Sequence, residues 1–487
     1  MQRTFISNLA LLLFLNILVK PFWVFGVEVS IQNVVGAESF GIYNALFSFS
    51  LLFNMALDLG INNFNNRNIA QNQHLVKEQF AGIATLKLIL GLFYFVLLGF
   101  SGLVVGYSGF YIKFLLLLGL NQFLVFFILY IRSNLGGLHL FRSDSIISVL
   151  DRLVMIVICS LLLWGNVTGS TFRIEWMVLA QTAAYGITLA VAGAVLLWRT
   201  GWIWPKWDLR FSYSVLGKSL PFALLVVLMT FYYRVDAVMI ERLLPDGKVQ
   251  SGIYAQSFRI LDALSIISYL YAGLLLPIFA RMLKNRQNIE QLVGLSVRLL
   301  VVPALAIVAV ASVFRVEIID LLYVAHQSES SAIFGVLMWC FGPIAATYIF
   351  GTLLTANGSL KLLNWMAALG VWINIALNFI LIPEYGAWGA AVASFATQLL
   401  TAVAQIFLAQ YLFRFRINYG LLSRMLVFIA ALAGMGYMSG LLDMDWKWRL
   451  GLMVLASILL AMLLKLIQIR SIFEILKYRE ESELNQL

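Results

Sequence analysis

The chain has 487 residues, 62% of them hydrophobic and only 11% charged, with a formal net charge of +10. Soluble domains carry about a quarter charged residues, so this composition excludes a soluble protein, and apolar runs along nearly the whole length exclude a soluble domain on a membrane tail. The basic balance does not indicate a nucleic-acid partner, because no basic module stands outside those runs; Cys159, Cys340 and three scattered histidines form neither a disulfide framework nor a metal site.

A helix needs about 20 apolar residues to cross hydrocarbon. Windows of that length predict an all-α integral membrane protein with about fourteen transmembrane helices, at 9–31, 40–64, 81–105, 110–134, 144–164, 174–198, 214–242, 252–281, 291–314, 330–356, 362–382, 386–413, 419–441 and 448–468. The first window follows a single charge, Arg3, and no small-residue cleavage site comes after it, so it reads as an uncleaved helix. The polar stretch 65–80 suits a short surface helix, and the tail 470–487 a brief amphipathic helix on the cytoplasmic face.

An even count puts both termini on one side. Twenty-one lysines and arginines fall on that side and its loops, among them Arg132, Arg142, Arg199 and Lys284, against six on the other: Arg173, Arg242, Lys248, Arg315, Lys447 and Arg449. Positive residues mark the cytoplasmic side, so both termini are expected in the cytoplasm, with the basic loops facing anionic membrane lipids.

Ser39-Phe40-Gly41-Ile42-Tyr43 opens the second window, and Gln250-Ser251-Gly252-Ile253-Tyr254 opens the eighth. A half-chain spacing of about six helices fits two parallel repeats with a substrate site between them. The expected organisation is an N-terminal lobe over 1–200, a C-terminal lobe over 201–413, and two further spans with a tail over 414–487.

Charged residues inside the spans carry the functional reading, because a charge at bilayer depth costs several kcal/mol, about 2.5–3.5 for Arg or Lys on the lower scales, and normally faces a partner or a watery cavity. Arg234 and Arg259 lie at nearly the same distance from the outer ends of their helices, with Asp236 and Asp262 close by. Either these four form ion pairs that hold helix register, or the arginines grip an anion while the acids steady them; a guanidinium suits phosphate because its planar fork donates two parallel hydrogen bonds. Lys20 has no acid within a helical turn, Glu28 being two turns on, and it precedes Pro21. A proline inside a helix removes a hydrogen bond and kinks the chain, so Pro21 is expected to bend the first helix at a cavity and Lys20 to reach into it. Asp58, Lys87, Asp151 and Arg152 lie nearer the cytoplasmic ends, with adjacent Asp151 and Arg152 on different helix faces. Asn16, Asn44, Asn54, Gln122, Gln181, Gln256, Asn374, Asn378 and Gln398 are expected to join helices, and some to meet sugar hydroxyls. Tyr232, Tyr233, Tyr254 and Trp23 are candidates to stack on sugar rings, or members of the interfacial aromatic belt. Gly217-Lys218-Ser219 has the end of a phosphate loop but lacks its first glycine, where Ser212 stands. No nucleophile–base–acid arrangement is present, so the expectation is a non-enzyme without cofactor.

The segment 34–70, VVGAESFGIYNALFSFSLLFNMALDLGINNFNNRNIA, resembles the opening of lipid-linked oligosaccharide flippases, the polysaccharide-transporter (Wzx-type) branch of the multidrug/oligosaccharidyl-lipid/polysaccharide (MOP) exporter superfamily. FYYRVDAVMIERLL with GIYAQSFRILDAL, LLLPIFARML, and TANGSLKLLNWMAALGVWINIALNFILIPEYGAWGAAVAS are similar to the same branch. The resemblance implies two pseudo-symmetric six-helix lobes plus two C-terminal helices, working by alternating access. It implies transport of undecaprenyl-pyrophosphate-linked repeat units across the bacterial cytoplasmic membrane for O-antigen or capsule assembly. It further implies coupling to a proton or sodium gradient or to downstream consumption, and possible partnership with polysaccharide polymerase or ligase machinery. The related peptidoglycan-precursor flippase carries arginines on its first, second and eighth helices; Lys20 and Arg259 match two of those roles, while the second span offers only Asn54 and Asp58. The expected substrate-binding set is Lys20, Arg234, Arg259, Arg152 and Asn54, with Asp58, Asp236 and Asp262 coupling an ion or balancing charge. A drug–cation antiporter of the same superfamily and a non-transporting subunit of a polysaccharide-synthesis complex are the alternatives; six span cations against five acids favour an anionic substrate.

Overall fold

Hydrocarbon offers no water to a peptide group, so a spanning chain must satisfy its backbone within each helix. The computed structural model describes residues 15–16, 18–62, 76–138, 140–165, 167–201, 209–416 and 418–467, and every described element is helical. A π-helical stretch, Phe22–Glu28, leads into α1 (Val29–Leu52) and a 3₁₀ turn, Asn54–Leu57. There follow α2 (Val76–Val104), α3 (Phe110–Gly137), α4 (Phe141–Trp164), α5 (Ile174–Thr200), α6 (Leu209–Leu243) and α7 (Gly247–Lys284). Next come α8 (Glu290–Ser296), continued through a π-helical Val297–Val301 into α9 (Val302–Val313), then α10 (Arg315–Leu322), α11 (Gln327–Met338) and α12 (Phe341–Ala356). The chain continues with α13 (Leu360–Phe413), α14 (Tyr419–Gly440) and α15 (Trp446–Leu463).

Eleven stretches among the described residues are long and apolar enough to cross a membrane. One of them, the 54-residue α13, is broken at Gly386, where φ is 61°, and α1 is broken at Gly36, where φ is 78°. Glycine adopts this left-handed region without a Cβ clash, so each break is a tight turn between two spans. Splitting α13 at its break gives twelve such stretches among the described residues, residues 9–14 and 17 of the first expected window lie outside them, and the chain is a multi-pass membrane protein. Of the expected surface helix at 65–80, only 76–80 is described, as the start of α2. The tail 470–487 lies outside the described residues.

Two packed units divide the chain and cut across α7 and α13. The first holds the described residues up to Arg259 together with Leu322–His326 and Leu360–Ser394. Its core joins Trp23, Val27 and Ile31 to Phe40, Tyr43 and Phe49 of α1, Tyr94 of α2, Leu115 and Leu118 of α3, Met155 of α4 and Met177 of α5. The second unit holds Ile260–Leu321, Gln327–Ser359 and the described residues from Phe395 on. There Val302 of α9 packs with Phe428 and Leu432 of α14 and Ala461 of α15. Trp365, Leu369, Trp372 and Phe379 of α13 stand exposed, as lipid-facing residues of a span do.

Pro21 has the expected local effect. Its ring removes one backbone donor, and the helix widens at once into the π-helical turn, with the Val29 amide bonding the Val24 carbonyl five residues back. The turn delivers Glu28, 6% exposed, into the core of the first unit.

The paired Gly-Ile-Tyr motifs meet. A Cβ on Gly41 would fall 1.7 Å from the carbonyl oxygen of Lys248, and one on Gly252 2.0 Å from that of Ala37. Each glycine thus lies against the carbonyl four residues before the other, a reciprocal backbone crossing that only small residues permit. The Gln32 amide donates to the Gly252 carbonyl at 3.0 Å, and Asn44 to Ser251 Oγ at 3.4 Å. At the same end of the unit, Tyr107 donates to Glu241 at 3.1 Å, Arg242 pairs with Glu241 at 2.8 Å and lies 3.7 Å from the Tyr107 ring centre, and Lys248 donates to Tyr111 at 2.8 Å. Burial and then the neighbouring Glu241 carboxylate raise the Tyr107 hydroxyl above its ordinary value, so it stays a donor.

Candidate functional site

A polar seam runs through the first unit. At its outer end Arg259 of α7 pairs with Glu28 at 3.3 Å, and its guanidinium carbon lies 5.7–6.0 Å from the ring centres of Phe40, Tyr43 and Phe47. Tyr43 accepts from Gln181 at 3.1 Å, and Asn121 continues the chain of bonds to Gln181 and to Thr182. Glu28 also acts electrostatically on Arg152 of α4, which stacks 5.9 Å from the Trp23 ring centre and bonds Tyr185. Arg152 in turn reaches back to its neighbour Asp151 at 3.6 Å, although the two residues leave the helix on different faces. Lys20 is half-buried, and the charges acting on it are those of Arg152, Asp151 and Arg132. Between α3, α4 and α5 a cleft of about 60 Å³ is lined by Arg132, Ser148, Asp151 and Tyr185 with apolar neighbours. Arg132 pairs there with Asp144 at 2.6 Å, and Asn16 donates to Ser148 at 3.1 Å. Four cations therefore face three acids along this seam. Water and ions are drawn to such a strip, and its balance favours an anion.

Arg152 and Arg259 thus share the field of Glu28, and Lys20 lies in the field of Arg152 and Asp151. Arg234 sits elsewhere, half-buried on α6, with its guanidinium 5.3 and 5.2 Å from the Tyr233 and Phe258 ring centres. Tyr233 and Phe258 pack with ring centres 5.2 Å apart, so α6 and α7 lie side by side at Arg234 and Arg259. Arg259, however, takes its carboxylate partner from the first helix. Asn54 opens the 3₁₀ turn Asn54–Leu57, half-buried. Asp262 lies in the second unit, half-buried, where Tyr348 feels its charge.

Asp58 is engaged by Lys87 at 2.6 Å and by the Asn62 amide, and Lys87 also donates to the Leu57 carbonyl at 3.3 Å. This pair pins the left-handed Leu59-Gly60 turn that ends the second span. Asp236 is 1% exposed and accepts from Tyr254 at 3.1 Å, from Asn378 at 2.7 Å and from Ser394 through a short contact. Asn378 also bonds Asn374 at 3.1 Å, while its buried Oδ1 has no hydrogen-bond partner among the described residues. One carboxylate, two amides and two hydroxyls are hard oxygen donors, a set that fits a small monovalent cation or a proton. No group of three or more His, Cys, Asp or Glu fit to hold a metal occurs among the described residues.

Glu28 is the residue that local spacing did not single out. Its partner is 231 positions away in sequence, and the only signal was an acid inside an apolar window two turns from Lys20.

The fold defines a class. The lipid II flippase MurJ in an inward closed conformation superposes over 95% of this chain and 100% of its own, with a TM-score of 0.73 at 13% identity. An inward-facing multidrug resistance MATE family transporter of the MOP superfamily aligns over 80% of this chain and 93% of its own (TM-score 0.61, 14% identity), and a MATE transporter from Vibrio cholerae over 84% and 98% (TM-score 0.56, 15% identity). At these identities the likeness establishes the shared MOP-type fold. A family model described as polysaccharide biosynthesis protein matches residues 6–283, and the chain belongs to that family. No curated protein matches the chain in sequence.

Proposed function

We propose that this protein flips a lipid-linked oligosaccharide, an undecaprenyl-pyrophosphate-borne repeat unit, from the cytoplasmic to the outer leaflet of a bacterial cytoplasmic membrane, for O-antigen or capsule assembly. Both termini lie in the cytoplasm in this reading, as the excess of basic residues on that side supports. The observation that carries the proposal is the seam of Lys20, Arg152 and Arg259 with its cation excess. A pyrophosphate needs cations held at depth, and a sugar chain needs polar partners of the kind that Ser148, Asp151 and Tyr185 supply in the cleft. Membership of a polysaccharide biosynthesis family supports the sugar part. The Asp236 cluster is the proposed coupling site, where binding of sodium or a proton drives the cycle. That cluster also favours a second reading, a cation-coupled drug antiporter, in which the buried acids carry the transport and the basic residues balance them. The test is leaflet accessibility of a lipid-linked oligosaccharide in proteoliposomes. Wild type exposes the substrate on the opposite leaflet, and Lys20→Ala and Arg259→Ala each slow this by an order of magnitude or more. Unchanged rates in both variants, or acid-dependent drug transport without oligosaccharide transport, reject the proposal.

A further inference from the structure

Arg259 and Glu28 sit where a substrate anion and its binding cation would sit in the reading above. The guanidinium is ringed by Phe40, Tyr43 and Phe47, so the carboxylate of Glu28, itself 6% exposed, occupies the direction in which a phosphate would approach. The pair also fastens α7 to the arm of α1 that precedes the break at Gly36. On that arm the Gln32 amide holds the Gly252 carbonyl, and Arg259 lies seven residues beyond Gly252 on α7. Ion pair and Gln32 bond are therefore two fastenings between the same partners, beside the glycine crossing made by the second arm. A buried ion pair seldom adds stability over an apolar pair of the same shape, whereas it gives a charged ligand something to displace. Glu28 also lies in the positive field of Arg152, so a carboxylate released from Arg259 keeps a favourable charge in its surroundings.

We infer that Glu28 is an internal counter-ion standing in for the substrate's pyrophosphate on Arg259. Displacement of Glu28 by the head group removes one of the fastenings between the first arm of α1 and α7 and loosens the packing at Gly252. The inference rests on the anionic-substrate reading and assigns Glu28 as a positioning residue that ties outer-side opening to occupancy.

The test uses the full chain in membranes with Cys159 and Cys340 replaced by serine and a reporter cysteine at Ser251, which is 0% exposed beside the crossing. An impermeant maleimide is added on the outer side, with undecaprenyl pyrophosphate as the probe ligand. The parent labels slowly, and the probe accelerates labelling several-fold. Glu28→Gln labels fast without the probe and gains little from it, whereas Glu28→Asp restores slow, probe-dependent labelling. Should Glu28→Gln fold poorly, Glu28→Gln combined with Arg259→Met removes both charges and gives the same fast, probe-independent labelling. Slow labelling of the folded neutral variants, equal to the parent, overturns the inference. Fast labelling of those variants in a background that ignores the probe upholds Glu28 as the fastening and rejects the pyrophosphate reading instead.

Discussion

At the scale of single residues the decisive fact is that Lys87, Arg152, Arg259 and Asp236 each have polar partners within the first unit. Lys87 is 2% exposed and is held by Asp58, the Leu57 carbonyl and the face of the Tyr130 ring, 5.6 Å from its centre. Removing one member of a buried pair leaves the other charge unanswered, at a cost of about 3–5 kcal/mol. Lys87→Met is therefore expected to lower the midpoint of thermal unfolding in detergent sharply, and adding Asp58→Asn to recover most of the loss; a double variant no better than the single one would show that the pair is not the cause. Asp236 differs in kind, because its partners are neutral. A carboxylate held only by hydroxyls and amides exchanges a proton or a sodium ion without breaking an ion pair. Asp236→Asn is accordingly expected to abolish the dependence of transport on the ion gradient while the protein keeps its fold, measured as transport with and without an imposed sodium or pH gradient. Gradient dependence equal to wild type would remove Asp236 from coupling.

At the scale of helices much was legible and some was not. Bilayer thickness dictates span length, so fourteen windows could be read from hydropathy, and glycines at 36 and 386 mark turns between windows that adjoin. Proline at 21 foretold a disturbed helix, and a widened π-helical turn is what forms. The Gly-Ile-Tyr motifs were readable as a repeat, but not as a contact between its two copies, because pattern within one helix says nothing about which helix lies against it. The same limit hid the Arg259–Glu28 pair: the acids near the two arginines, Asp236 and Asp262, were the expected partners, while packing supplied a carboxylate from a helix more than two hundred positions earlier. Gly252→Ala tests the crossing directly. Its methyl would lie 2.0 Å from a backbone carbonyl that cannot move aside cheaply, so the variant is expected to lose thermal stability by several degrees and to label faster at Ser251→Cys. Unchanged stability with unchanged labelling would mean that the helices do not cross at this distance in the membrane.

At the scale of the whole molecule, a MOP-type fold joins a lipid-facing exterior to a polar seam. Exposed apolar faces on the helices meet lipid, and the seam from Arg259 through Glu28, Arg152 and Lys20 to Arg132 offers charge and hydrogen bonds at successive depths. Family membership ties the chain to polysaccharide biosynthesis, and the seam accounts for why a carrier in that process holds cations where hydrocarbon would otherwise exclude them. The most direct measurement is the rate at which a pyrophosphate-linked oligosaccharide appears on the opposite leaflet of proteoliposomes containing the full chain. The account predicts fast appearance with wild type and losses of an order of magnitude or more for both Lys20→Ala and Arg259→Ala. Equal rates for all three proteins would contradict it.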